Sequence, residues 1–169
     1  MNSTVIIQAS AQSFGNTYKV VNYLNKNNDF DVIDIATKNI GHFNYKFENA
    51  NDDFITTIEE IIEKYDTIIF ATPVYWYTMS GHLKVFFDRM SDLLHYKKEL
   101  GRKMRGKKMA MISNSYGNDR RDGFDMPFIE SAKYLGMDYL GDVHTFFNED
   151  EIHTEAKEKI DTFRGSFIN

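Results

Sequence analysis

Five short apolar runs, each followed by a stretch of helical periodicity, constrain this chain more than any other feature. The runs are "TVIIQ" (4–8), "DVIDI" (31–35), "TIIFA" (67–71), "KMAMIS" (108–113) and "DYLGDVHTFF" (138–147). Each is short and largely apolar, as a buried strand should be. The stretches between them predict helices over 16–26, 52–65, 80–95, 123–136 and 148–167. In the second, Phe54, Ile55, Ile58, Ile61, Ile62 and Tyr65 recur at helical spacing, and Asp52 and Asp53 supply a cap and a first-turn acid. In the fourth, Pro127 is tolerable only near the first turn. Alternation of this kind predicts an α/β fold, a parallel sheet covered by helices on both faces. For five strands the expected order is 2-1-3-4-5, and ligands then bind beyond the carboxyl ends of the strands at the switch point. With 169 residues, one domain over 1–169 is expected.

Composition excludes several functions. There is no cysteine, which removes disulfides, thiol catalysis and cysteine-ligated metal centres. A net charge of −5 argues against nucleic-acid binding. The N-terminal apolar run is too short for a signal peptide, and no run is long enough for a membrane span. A cytoplasmic protein is the expectation. Asn2 heads an Asn-Ser-Thr triplet, but nothing else suggests secretion. The histidines are scattered, and no metal site is expected.

The predicted switch point selects three loops. The first, "ASAQSFGNT" (9–17), offers Ser10, Gln12, Ser13, Asn16 and Thr17 at a helix start, where backbone N–H groups suit a phosphate. Asn16 or Thr17 would equally serve as a plain N-cap. The loop lacks the P-loop lysine and the G-x-G-x-x-G pattern, which disfavours ATP hydrolysis and a Rossmann dinucleotide site. The second, "TPVYWYTMS" (72–80), places Pro73, Val74, Tyr75, Trp76 and Tyr77 directly after a strand. A connecting turn ordinarily uses Gly, Asn or Ser. Flat amphipathic side chains here suit the walls of an aromatic ligand. The third, "NSYGNDRRDG" (114–123), brings Tyr116 and Gly117, with Arg120 and Arg121 read as solvated cations. The basic segment 97–108 reads as a solvated loop.

The segment "ATPVYWYTMSGHLKVFFDR" (71–89) resembles one found in flavodoxin-like NAD(P)H-dependent oxidoreductases, the group of FMN reductases and related quinone reductases. Residues 10–17 resemble that family's phosphate loop, and the alternation of elements matches along the chain. The resemblance implies a flavodoxin-like three-layer sandwich and non-covalent FMN. It implies that Ser10, Gln12, Ser13, Asn16 and Thr17 hold the phosphate. Pro73, Val74, Tyr75 and Trp76 would line the isoalloxazine, and Ser113, Asn114, Ser115, Tyr116 and Gly117 would cover its other side or pyrimidine edge. Gln12 stands where many relatives carry Arg or Lys. The motif's Lys84, Asp88 and Arg89 are expected to brace the helix against the sheet.

The chemistry so implied is hydride transfer from NADH or NADPH, a dissociable donor, to FMN and then to a small acceptor: a quinone, a nitro or azo compound, or free flavin. No side chain is nominated for proton transfer. A flavodoxin-type electron carrier and a cofactor-free binding protein are the alternatives. The family often forms homodimers that complete the flavin pocket, and Tyr77 or Phe43 could serve such an interface. The branch with an iron–sulfur cysteine cluster is excluded, because 36–52 has no cysteine.

Overall fold

A computed structural model describes residues 3–168; the Asn2 triplet therefore begins outside the described residues. In chain order the elements are β1 (Thr4–Gln8), α1 (Asn16–Leu24), β2 (Asp31–Asp34), α2 (Asp53–Lys64), β3 (Thr67–Pro73), α3 (Gly81–Arg89), α4 (Asp92–His95), α5 (Lys98–Arg102), β4 (Lys108–Ser115), α6 (Met126–Leu135), β5 (Asp138–Asn148), β6 (Glu151–Ile152) and α7 (Thr154–Gly165). The strands form one sheet of order β2-β1-β3-β4-β5-β6. The first five pair in parallel, in the flavodoxin-like order.

Strand alternation divides the core in two. Val5, Ile7, Ile68, Phe70, Met109 and Met111 face α2, α3 and α6. Ile6, Ile69, Ala71, Ala110 and Ile112 face α1 and α7. Because both faces are covered, β1 and β3 are buried along their whole length and read as continuous apolar runs.

The structure departs from several expectations. The sheet has six strands and is mixed, since β6 pairs antiparallel to the end of β5 through Phe147–Ile152 and Asn148–Glu151. This short return occupies the start of the expected 148–167 helix, and Glu149 turns it with φ 54°. The expected 80–95 helix breaks near Met90, where Met90 N–H and Ser91 N–H bond three residues back, to Phe87 O and Asp88 O. The 97–108 segment is not a loop: it contains α5, with Arg102 paired to Glu99 at 2.5 Å. It also leads into the amino end of β4, away from the carboxyl ends where a ligand would sit. Finally, β5 carries a bulge opposite Met109–Met111, which Gly141 enables with φ 104°.

The tip of the β3–α3 loop is strained. Tyr75 and Thr78 exchange backbone hydrogen bonds of 2.9 and 3.1 Å around a two-residue turn. Its central residues, Trp76 and Tyr77, have φ 49° and 66°. That mirror-image turn is normally Asn-Gly, because a bulky side chain at positive φ costs about 1–2 kcal/mol. Replacing Trp76-Tyr77 by Asn-Gly is therefore expected to raise stability by about 1 kcal/mol. Denaturant unfolding checks this, and unchanged or lower stability would show that the aromatics are not strained.

Candidate functional site: a cleft at the carboxyl ends of β1, β3 and β4

The three predicted loops converge, and specific hydrogen bonds hold them together. Ala9 N–H donates to Ala71 O at 2.9 Å, and Val74 N–H to Asn114 O at 2.8 Å. The buried Ser80 hydroxyl donates to Ala9 O at 2.7 Å and accepts from Leu83 N–H at 3.2 Å. It thus caps α3 and fastens the second loop to the first. Thr17 Oγ1–H donates to Asn114 Oδ1 at 2.9 Å, joining α1 to the end of β4. Gln8, buried at the end of β1, donates from Nε2 to Ser13 O at 2.8 Å and to Asp34 Oδ2 at 3.2 Å.

Between the loops lies a cleft of ≈ 470 Å³. Its β1 side is lined by Ser10, Gln12, Gly15, Asn16 and Thr17. Its other side is lined by Pro73, Val74 and Tyr75 and by Asn114, Ser115 and Tyr116. Among the described residues, no lysine, arginine, histidine or carboxylate lines it. Four other candidates lie off the lining. Ser13 is held from beneath by Gln8. Trp76 is 92% exposed at the turn tip. Ser113 is buried behind the cleft, and Gly117 lies beyond Tyr116 in the same loop.

The plain N-cap reading is not what forms. The N-cap of α1 is Gly15, with no side-chain hydrogen bond to the helix start. Asn16 is already helical, and the Thr17 hydroxyl is turned to Asn114. The helix therefore presents first-turn N–H groups to the cleft without a side-chain partner, the arrangement that attracts an anion.

Behind the cleft, His144 on β5 supports the third loop. Its Nδ1 lies 3.0 Å from Ser113 Oγ and its Nε2 lies 3.1 Å from Ser115 Oγ. The Ser115 hydroxyl donates to Gly117 O at 2.6 Å, so its oxygen is left to accept. Gly117 O, 3.4 Å from Nε2, can only accept. The proton therefore belongs on Nε2, and Nδ1 accepts from Ser113. Arg120 donates from Nη1 to Ser113 Oγ at 3.3 Å and pairs with Asp142 at 2.5 Å. Arg120 is thus a structural partner and not a solvated cation. Sequence reasoning passed over Gln8, Ser80 and His144; the signal was a polar residue ending or interrupting an apolar strand for Gln8 and His144, and a serine at a helix start for Ser80.

Burial pushes the His144 pKa below its ordinary value of 6.5, and the Arg120 charge pushes in the same direction against the Gly117 carbonyl and Asp119. Neutral His144 is the native form. Its contribution to stability is complete above 6.5 and declines as pH falls through the lowered native value. Denaturant unfolding across this range should show stability falling with pH, and His144→Gln should flatten that slope. An equal slope in the variant would remove His144 from the account.

Comparison with known proteins agrees with this architecture. The profile of the NADPH-dependent FMN reductase family matches residues 3–151, and the chain belongs to that family. It is 31% identical over 110 residues to a Bacillus subtilis protein named as an NAD(P)H-dependent FMN-containing oxidoreductase. That match covers 62% of this chain and 59% of the relative, so the chain spans less than two thirds of that protein. It is 28% identical to an iron-sulfur flavoprotein of Clostridioides difficile, covering 96% of this chain and 76% of the other. The solved structure of the Trp repressor binding protein from Bacillus subtilis superposes with a TM-score of 0.74 at 24% identity, covering 94% of this chain and 95% of that one, and shows a shared fold. No helix among the described residues is long and apolar enough to cross a membrane.

Proposed function

We propose that the three-loop cleft holds FMN non-covalently, and that the protein oxidises NADH or NADPH and reduces a small acceptor such as a quinone, a nitro or azo compound, or free flavin. The observation that carries this reading is the division of the cleft. One side is an uncapped helix start with hydroxyls and amides; the other is flat and largely apolar. A phosphate on a ring-bearing ligand fits both at once. Family membership and the FMN-containing relative support the same reading.

A flavin bound there would supply the two-electron redox chemistry between nicotinamide and acceptor. Ser10, Gln12 and Asn16 donate to the phosphate from their side chains and Thr17 from its backbone N–H, its hydroxyl staying on Asn114; the α1 dipole is the main electrostatic partner, because no cation among the described residues lines the cleft. Ser13 acts through its backbone, which Gln8 fixes. Pro73, Val74 and Tyr75 wall one face of the ring, with Trp76 at the rim. Asn114, Ser115 and Tyr116 form a second wall along its pyrimidine edge, which leaves a face open to the nicotinamide. Ser113 and Gly117 keep that wall in place through His144. The ionisable side chains that line the cleft are the phenols of Tyr75 and Tyr116, and no side chain is assigned to proton transfer.

Anaerobic mixing of FMN-loaded protein with NADH and with NADPH tests the activity. Bleaching of the oxidised flavin spectrum by at least one nucleotide is expected. Retained flavin that neither nucleotide bleaches would contradict an oxidoreductase and point to an electron carrier.

A further inference from the structure

A second cleft, of ≈ 540 Å³, opens on the other side of Tyr75 and shares that residue with the first. It lies between the β2–α2 connection and the start of α3. Among the described residues its lining contains three basic side chains, Lys38, His42 and His82, and no carboxylate. In a chain of net charge −5, a cavity with this bias runs against the average. Three carboxylates at the ends of that connection are engaged, and Glu48 on it does not line the cleft. Asp34 accepts from Ala36 N–H at 3.0 Å, Asp53 from Asn39 N–H at 2.7 Å, and Asp52 pairs with Arg89. Lys38 makes no ion pair among the described residues. Apolar Ile40 and Val85 complete the lining. The connection is also held in place, because Arg89 donates to Gly41 O at 3.0 Å and Asn49 O at 3.1 Å. A site fixed in this way binds without the cost of ordering a loop.

We infer that this second cleft receives the anionic part of the exchangeable substrate: its phosphate, sulfonate or carboxylate lies against Lys38, His42 and His82, the adjoining apolar atoms pack on Ile40, Val85 and Tyr75, and the reacting ring extends past Tyr75 to the first cleft. The inference rests on the proposed function for what lies across Tyr75, since the cofactor cleft itself offers an anion no charged partner. Two sources share this chemistry: the phosphates of the nicotinamide nucleotide, and an acidic group on an aromatic acceptor.

The test titrates FMN-loaded and FMN-free protein with NADP+ and, separately, with anthraquinone-2-sulfonate. Affinity is read by calorimetry, and the His42 and His82 imidazole protons are followed by NMR. With at least one probe both imidazoles should shift, and binding should weaken as salt is raised. Lys38→Glu should weaken that probe about tenfold or more, by reversing one nearby charge. The FMN affinity of the same variant, read on the far side of Tyr75, should be unaltered. Weakening of NADP+ assigns the cleft to the donor, and weakening of the sulfonate alone assigns it to the acceptor. Unshifted imidazoles with both probes, or unchanged affinities in Lys38→Glu, would overturn the inference. If FMN does not bind but FMN-free protein still shows the shifts, the cofactor reading fails and the anion site stands.

Discussion

Arg89→Met is expected to lose about 3–5 kcal/mol of stability, because removing one partner of a buried ion network leaves the others uncompensated. Arg89 is 1% exposed, although it is a cation at the end of a helix. Its Nε donates to Asp92 at 2.9 Å, and its Nη1 bonds Asp52. The remaining donors reach Gly41 O and Asn49 O, and the guanidinium lies 4.8 Å from the centre of the Phe54 ring. The side chain thus ties α3 and α4 to the β2–α2 connection. Methionine fills the volume but removes the countercharge from two carboxylates and a donor from two carbonyls. Arg89→Lys keeps the charge but loses the planar fork, so it should recover only part of the loss. Denaturant unfolding measures both variants. A loss below about 1 kcal/mol in the methionine variant would place the network among ordinary surface pairs.

The same network sets an acid limit. Burial alone would raise the Asp52 pKa, but Arg89 together with the N–H groups of Phe54 and Gly41 outweighs it and holds the carboxyl below its ordinary 3.8. A depressed native value means that the contribution is present above 3.8 and is lost as pH falls through the native pKa.

The second large effect concerns charge in the cofactor cleft. Ser10→Asp is expected to weaken FMN binding about 100-fold or more, because it sets a carboxylate beside a phosphate in a partly desolvated site. Gln12→Arg should act in the opposite direction and strengthen binding about tenfold, by adding the cation the lining lacks. Equilibrium titration of flavin fluorescence reads both. Two variants of opposite sign separate electrostatics from misfolding, since misfolding cannot tighten a site. Movement of both variants in one direction, or of neither, would remove the phosphate from this end of the cleft.

The parallel sheet was legible because β1, β3 and β4 are buried on both faces and so read as continuous apolar runs. The β6 return was not legible. Two residues carry no periodicity, and the acids at 149–151 look like the first turn of a helix. The convergence of 9–17, 72–80 and 114–117 followed from the strand order. Which side chains face inward did not follow. The mirror-image turn at Trp76-Tyr77 carries those aromatics to the tip, and no local propensity favours that turn for this pair. Lys84, Asp88 and Arg89 were expected together to brace α3 against the sheet, but Lys84 and Asp88 pair on the exposed surface and Arg89 is buried against the β2–α2 connection. Its burial depends on Asp52 and on two carbonyls from a distant connection, and sequence spacing encodes none of these. His144 was hidden for the same reason: its serine partners lie 29 and 31 residues away.

The most direct test of the central claim is the visible spectrum of the protein after incubation with FMN and removal of free flavin by gel filtration. The account predicts retained flavin with absorption bands displaced from those of free FMN, and quenching of Trp76, the only tryptophan in the chain. Protein that elutes colourless at concentrations where it is folded would contradict it.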